Sequence, residues 1–342
     1  MNRTANPRNI RIQLIRWYER HRRDLPWRRT SDPYAIWVSE IMLQQTRVAA
    51  VIPYYERFLK RFPRVQDLAD VSESELLSLW SGLGYYSRAR NMQTAARQIV
   101  EAGAFPRDHE SIRELAGVGD YTAAAVASIA FDLPHAAIDG NVRRVVMRLA
   151  GDASHDIAAI ATRLLPRRDP GRWNQAMMEL GATVCLPREP LCSACPVAFA
   201  CVANKRGIQH TLPPPRKKPA TVRKEHIVLV IRRKGRLLLK PSTRVSGFWD
   251  LPEVFEGARP GPALAKFRHA ITNTQYYFEV REARLANHPP ECRWWGEGEL
   301  AAIPLSTVAK KALRCLEVLS GLGGPRRRSR EQTPGTSGSF PD

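Results

Sequence analysis

The chain has 342 residues, enough for two domains with separate cores, and at 44% hydrophobic and 25% charged its composition excludes a disordered or fibrous protein. Its 53 basic residues against 33 acidic ones give a formal charge of +20, which suits a polyanionic partner, although an Arg-rich solvated surface would carry the same excess. No apolar run approaches the roughly 20 residues that span a bilayer, and Met1 to Asn9 lacks the apolar stretch of a signal peptide, so a soluble cytoplasmic protein with no membrane partner is expected.

Residues 8–204 read as helical almost throughout. Ile10, Leu14, Trp17 and Tyr18 recur at helical spacing, with arginines on the other face. Further helices are predicted around 34–60, 73–80, 87–102, 121–131, 141–149, 156–165 and 173–184, many of them separated by Gly- or Pro-containing turns. Lys205 to Lys224 then carries seven basic residues, no acidic one and the run Pro213-Pro214-Pro215, which reads as a semi-rigid linker lying near DNA. Beyond it the period changes. Ile227–Ile231, a turn at Lys234-Gly235 and Leu237–Leu239 predict a β-hairpin, Tyr276–Val280 another strand, and Val308–Leu319 a closing helix. The expected organisation is a mainly α N-terminal domain (1–204), a basic Pro-rich linker (205–222), a smaller α+β domain (223–322) and a disordered Gly-, Ser-, Pro- and Arg-rich tail (323–342).

Four of the six cysteines, Cys185, Cys192, Cys195 and Cys201, crowd into one short loop with spacing C-x6-C-x2-C-x5-C. In a reducing compartment such clustering reads as metal ligation rather than disulfides. The loop is too compact to fold without a metal, and could hold an iron–sulfur cubane or a structural zinc. A single short C-x-x-C pair favours iron–sulfur.

Two glycine turns stand before helices. In Leu115-Ala116-Gly117-Val118-Gly119-Asp120-Tyr121-Thr122, glycines around one apolar residue let successive amide N–H groups face outward at a helix N-terminus, an anion site suited to a DNA phosphate. A plain turn is the commoner use of that pattern. Gly82-Leu83-Gly84-Tyr85-Tyr86-Ser87-Arg88 combines a tight turn, two aromatics and a cation, which suits backbone contact and wedging between bases.

Two carboxylates attract notice. Glu40 is the only acidic residue between Pro33 and Tyr55, among Ile36, Trp37, Val38, Ile41, Met42 and Leu43. Desolvation there raises a carboxyl pKa and makes a general acid, unless Glu40 faces solvent. Asp139, in Ile138-Asp139-Gly140-Asn141-Val142, reads by itself as a helix N-cap.

Taken together these motifs resemble a known family. The cysteine loop, directly after a helix ending Leu180-Gly181-Ala182, is similar to that of the endonuclease III and MutY DNA glycosylases, where it holds a [4Fe–4S] cluster that positions DNA-contacting residues. Gly117-Val118-Gly119 resembles that superfamily's helix–hairpin–helix. Trp37-Val38-Ser39-Glu40-Ile41-Met42-Leu43-Gln44-Gln45-Thr46 and Asp139-Gly140-Asn141-Val142-Arg143-Arg144-Val145 look like the two catalytic motifs of MutY-type adenine glycosylases. The resemblance implies that Glu40 protonates a flipped adenine at N7 while Asp139 stabilises the cationic sugar, a division of labour parallel to that of glycosidases. It implies further that Tyr121 and Asn141 orient Asp139, that Trp27 and Arg28 line the adenine pocket, and that Tyr85 enters the base stack. Leu43, Gln45, Thr46, Leu83 and Gly84 join Gly117, Val118 and Gly119 as expected DNA contacts. The expected partner is double-stranded DNA with A·8-oxoguanine or A·G mispairs, bound by a monomer associated with a bacterial nucleoid.

One observation is independent of the family. Between Arg61 and Asn204 there is no lysine, and residues 1–204 offer only Lys60. A glycosylase that also nicks the strand needs an amine for its Schiff base, and endonuclease III has a lysine at the position held here by Tyr121, so efficient strand cleavage is not expected. In the second half, Ser246-Gly247-Phe248-Trp249-Asp250-Leu251-Pro252-Glu253 resembles the Nudix-like domain with which MutY proteins recognise 8-oxoguanine. No Glu-rich helix follows Glu253, as a Nudix hydrolase requires, so the domain is expected to read rather than hydrolyse. Where the family commonly has Phe-Ser-His, this chain has Ile271-Thr272-Asn273, which leaves Thr272 as the hydroxyl-bearing candidate for 8-oxoguanine contact. The alternatives are a thymine glycosylase for G·T mismatches and a non-catalytic iron–sulfur DNA binder.

Overall fold

Helix α1 (Pro7–His21) begins at proline, with the Asn6 side chain accepting from the Arg8 N–H, and buries Ile10, Leu14, Trp17 and Tyr18 as one stripe. The computed structural model describes residues 6–154, 156–215, 220–255, 258–271, 273–285 and 289–316. Among the described residues up to 215 every regular element is helical: α2 (Pro33–Leu43), α3 (Val48–Arg61), α4 (Val65–Asp70), α5 (Glu73–Trp80), α6 (Ser87–Glu101), α7 (His109–Arg113), α8 (Asp120–Phe131), α9 (Gly140–Ala150), α10 (Ile157–Leu164), α11 (Pro170–Thr183) and α12 (Val202–Lys205). None of the described helices is long and apolar enough to cross a membrane.

The helices pack as two lobes. Trp37, Phe58, Leu68, Trp80, Met92 and Val126 centre the first, built from α2 to α8. Ile10, Leu14, Val145, Leu164, Trp173 and Leu180 centre the second, where α1 rejoins α9, α10 and α11. Arg11 ties this lobe by donating to the carbonyls of Arg163, Leu164 and Leu165, which the end of α10 leaves without helical partners.

The single stretch expected over 34–60 is two helices. The chain breaks between Leu43 and Val48, with Gln45 at φ +55°, although neither glycine nor proline marks the place.

Past the linker the chain forms β1 (Val222–Val230), β2 (Arg232–Arg233), β3 (Arg236–Pro241), β4 (Trp249–Asp250), β5 (Arg259–Ile271), β6 (Thr274–Arg284), β7 (Arg293–Gly296) and α13 (Thr307–Cys315). The expected turn is present: Lys234 and Gly235 both have positive φ, the geometry that suits the twist of a tight hairpin between β2 and β3. The longer pairing of β1, however, is parallel to β6, in a sheet of order β1-β6-β5, while β3 lies between β2, β4 and β7. A core of Val228, Leu239, Leu251, Phe278, Val280 and Leu313 joins the sheets to α13. The 13-residue β5 was not expected. The sequence Glu256-Gly257-Ala258-Arg259-Pro260-Gly261 reads as helix-breaking, and β5 starts within it; bulges between Pro260 and Ala265 let a sheet-edge strand carry Pro260 and Pro262. Thr272 and the 323–342 tail lie outside the described residues.

Candidate active site

A cavity of about 520 Å³ opens where the two helical lobes meet, within the size range of small-ligand pockets. It draws Glu40 from α2 and the α9 cap Asp139 to one place, with Tyr121 and Asn141. Trp27 and Arg28 line the same cavity, as do Leu43, Gln45 and Thr46.

Helix α2 is buried on all sides from Tyr34 to Met42, so Glu40 is only 5% exposed. Burial pushes its carboxyl up to about 7, further helped by the nearby negative Asp139, while a hydrogen bond from Tyr121 opposes the shift. The Tyr121 hydroxyl donates to Glu40 Oε2 at 2.6 Å. Tyr121 was expected beside Asp139; its hydrogen bond goes instead to the other carboxylate.

Asp139 is both things the sequence allowed. Its Oδ1 accepts from the Val142 N–H at 2.7 Å as the cap of α9, and its Oδ2 accepts from Asn141 Nδ2 at 2.8 Å. Asn141 is held in turn, its Oδ1 accepting from Arg144, which also donates to the carbonyls of Gly181 and Cys185. Gly181 has a steric reason to be glycine: an added Cβ would meet Asn141 Cβ at 2.6 Å. Capping geometry therefore fixes the carboxylate while its charge borders the cavity.

Glu179 was overlooked. Its fully buried side chain accepts from Arg23 and Arg28, the latter at 2.7 Å, and fixes Arg28 beside Trp27 at the cavity wall. Burial alone would raise its pKa, but hydrogen bonds from the two guanidinium groups bring it down to about 2. The signal was in the sequence, since Glu179 stands alone among Met177, Met178 and Leu180 as Glu40 does among its neighbours. Replacing Glu179 with Gln should cost about 3 kcal/mol by leaving Arg28 buried without its counter-charge. Because the folded pKa lies below the unfolded value, that stability is present above about 4.5 and lost as pH falls towards about 2. Thermal unfolding of both proteins from pH 3 to pH 7 checks the size and the direction.

The expected DNA contacts outside the cavity sit on two turns. Between α7 and α8, Gly117 is at φ +75° and Val118 is buried, and Gly119 caps α8 without a side chain. Between α5 and α6, Gly82 and Gly84 have positive φ, Leu83 is buried, and Tyr85 stands 48% exposed at φ +51°. A non-glycine residue held there costs on the order of 1–3 kcal/mol, which the surroundings must offset. Arg88 does much of this: it donates to Gly84 O at 3.2 Å and to Gln44 O at 2.6 Å, tying the Tyr85 turn to the cavity rim.

Cys185, Cys192, Cys195 and Cys201 face one small cavity with Arg148. Arg148 is 1% exposed, and it donates to the carbonyls of Leu186, Pro187 and Leu212 and to Cys185 Sγ at 3.3 Å. A buried guanidinium against four thiols suits thiolate ligands and the negative charge of a bound cluster. Among the described residues no three Cys, His, Asp or Glu side chains converge on a single-ion site.

Fold and site together define a helix–hairpin–helix repair protein: residues 38–166 match the family described as HhH-GPD superfamily base excision DNA repair protein. The chain is 48% identical over 216 residues to an adenine DNA glycosylase of Mus musculus, covering 58% of this chain and 42% of the relative. It is 34% identical over 241 residues to an adenine DNA glycosylase of Buchnera aphidicola subsp. Acyrthosiphon pisum, covering 67% and 69%. The chain belongs to this MutY family of adenine DNA glycosylases. It spans about two fifths of the length of the mammalian relatives it matches. Among solved structures a thermostable thymine-DNA glycosylase aligns with TM-score 0.55 and 30% identity, over 58% of this chain and 97% of that one.

Proposed function

We propose that the chain excises adenine mispaired with 8-oxoguanine or guanine, by hydrolysing the bond between base and sugar. The observation that carries this reading is a protonatable, buried Glu40 sharing one cavity with a capped and oriented Asp139. In this reading neutral Glu40 gives its proton to the departing adenine, and Asp139 faces the positive charge that develops on the sugar. Water adds to the sugar carbon, its proton returns to the carboxylate pair, and free adenine leaves. The relatives named adenine DNA glycosylase support adenine over thymine as the base.

Among the described residues no lysine lines the cavity, and by the family resemblance Tyr121 holds the position of the endonuclease III lysine, which supports hydrolysis without lyase chemistry. Both carboxylates come from one chain, as a monomer requires. The four thiols line one cavity, and their C-x6-C-x2-C-x5-C spacing, with a single short C-x-x-C pair, supports a [4Fe–4S] cluster over a structural zinc. Bound there, the cluster would cross-link the loop and fix its geometry. Residues 223–322 read as a Nudix-like unit that recognises 8-oxoguanine, with Thr272 its candidate contact; the strand β5 in place of an acidic helix suits a reader.

Duplexes carrying A·8-oxoguanine, A·G, G·T and A·T test the function. The protein should release free adenine from the first two and leave alkali-labile sites. No adenine from either mispair contradicts the function, and strand breaks without alkali contradict the lyase-free reading. Iron and sulfide analysis should give about four of each per chain, and Cys201→Ser should lower both.

A further inference from the structure

We propose that Phe248, with the start of α13, is a positioning brace for the turn that presents Tyr85. Although Phe248 belongs to the second half of the sequence, its side chain is 1% exposed within the core of the first helical lobe. Its ring lies 4.2 Å, centroid to centroid, from that of Tyr86, the residue directly after Tyr85. Tyr86 Oη is also 3.2 Å from Thr307 Oγ1 at the first position of α13.

Ser81, at the other end of the turn, is gripped in the same way. Its hydroxyl donates to Leu305 O at 2.9 Å, and its carbonyl accepts from Tyr54 at 3.1 Å and from Lys310 at 3.5 Å. Asp250 links the two parts of the brace, since it accepts from Ser306, the N-cap of α13, two residues along the chain from Phe248. Gly247 lets this segment approach, because an added Cβ would lie 3.2 Å from Leu77 Cδ1 and 3.3 Å from Arg90 Nη2.

The turn is thus clamped twice. Arg88 holds its carbonyls from the side of the cavity, and Phe248, Leu305, Thr307 and Lys310 hold Ser81 and Tyr86 from behind. Of the turn's large apolar side chains, Leu83 and Tyr86 are buried and Tyr85 is left exposed, in a strained positive-φ conformation. Without the rear clamp Tyr85 should sample other conformers, and its insertion beside the target base would then carry an ordering cost. This inference rests on the glycosylase reading for its rate measurement but not for its structural one.

The test uses the full chain carrying Phe248→Ala, with and without Tyr85→Ala, and a duplex with 2-aminopurine stacked next to the target adenine. Phe248→Ala should slow single-turnover excision about tenfold and reduce the fluorescence rise on binding. In the Tyr85→Ala background it should slow excision by less than about twofold, and Phe248→Leu should restore most of the loss. If Phe248→Ala unfolds, Tyr86→Phe and Thr307→Val, which remove only the hydroxyl contact, carry the same comparison with smaller effects. Losses that multiply, or an unchanged fluorescence rise, would overturn the brace. A chain that binds the duplex but releases no adenine refutes the glycosylase reading, while its fluorescence still decides the brace.

Discussion

Replacing Glu40 with Gln is expected to cut single-turnover excision by roughly 10²–10⁴-fold, the usual worth of a positioned general acid, while leaving duplex affinity within a few-fold. Glutamine fills the same volume and still accepts from Tyr121, so the loss reports the proton and not the packing. The same variant should be more stable than the parent at alkaline pH. Burial raises the folded pKa of Glu40 to about 7, above its unfolded value, so its contribution is fully present below about 4.5 and lost as pH rises through about 7. The melting temperature of Glu40→Gln relative to the parent should therefore rise by several degrees from pH 5 to pH 8. A difference independent of pH would show that Glu40 titrates alike in the folded and unfolded chain, and that burial does not raise its pKa.

Asp139→Asn should produce a loss of comparable kind by a different route. Asn is as good an N-cap as Asp, so α9 keeps its start and the protein its stability to within about 1 kcal/mol. What disappears is the negative charge facing the sugar, and excision should fall by about 10²–10³-fold. Asp139→Ala removes the cap as well, and should add about 1 kcal/mol of destabilisation to the same catalytic defect. Thermal unfolding and single-turnover rates on all three proteins separate cap from catalyst. An Asn variant as active as the parent would reduce Asp139 to its structural role.

These two residues also show where sequence reasoning was strong and where it stopped. Glu40 was half legible: its apolar neighbours allowed a desolvated acid or a surface residue, and the packing of α2 on all sides decides for burial. Asp139 was not, since the capping signal is the same whether or not a cavity lies beyond it. Glu179 carried the signal of Glu40, but its meaning lies in Arg23 and Arg28, some 150 positions away, where no periodicity reaches. Local chemistry likewise concealed the break at Gln45, a non-glycine residue at positive φ whose neighbours Gln44 and Thr46 both accept from Arg88, more than 40 positions away. In the second half the hairpin turn was legible in Lys234-Gly235, whereas the parallel pairing of β1 with β6 joins residues about 50 apart. Phe248 sat in a recognisable motif, but nothing local shows that it crosses into the other lobe.

The dependence of single-turnover adenine release on pH tests the central claim most directly. With an A·8-oxoguanine duplex in saturating protein, the rate should be high below pH 6 and decline with an apparent pKa near 7, as Glu40 loses the proton it must donate. A rate that stays level from pH 6 to pH 9 would contradict the assignment of Glu40 as the acid.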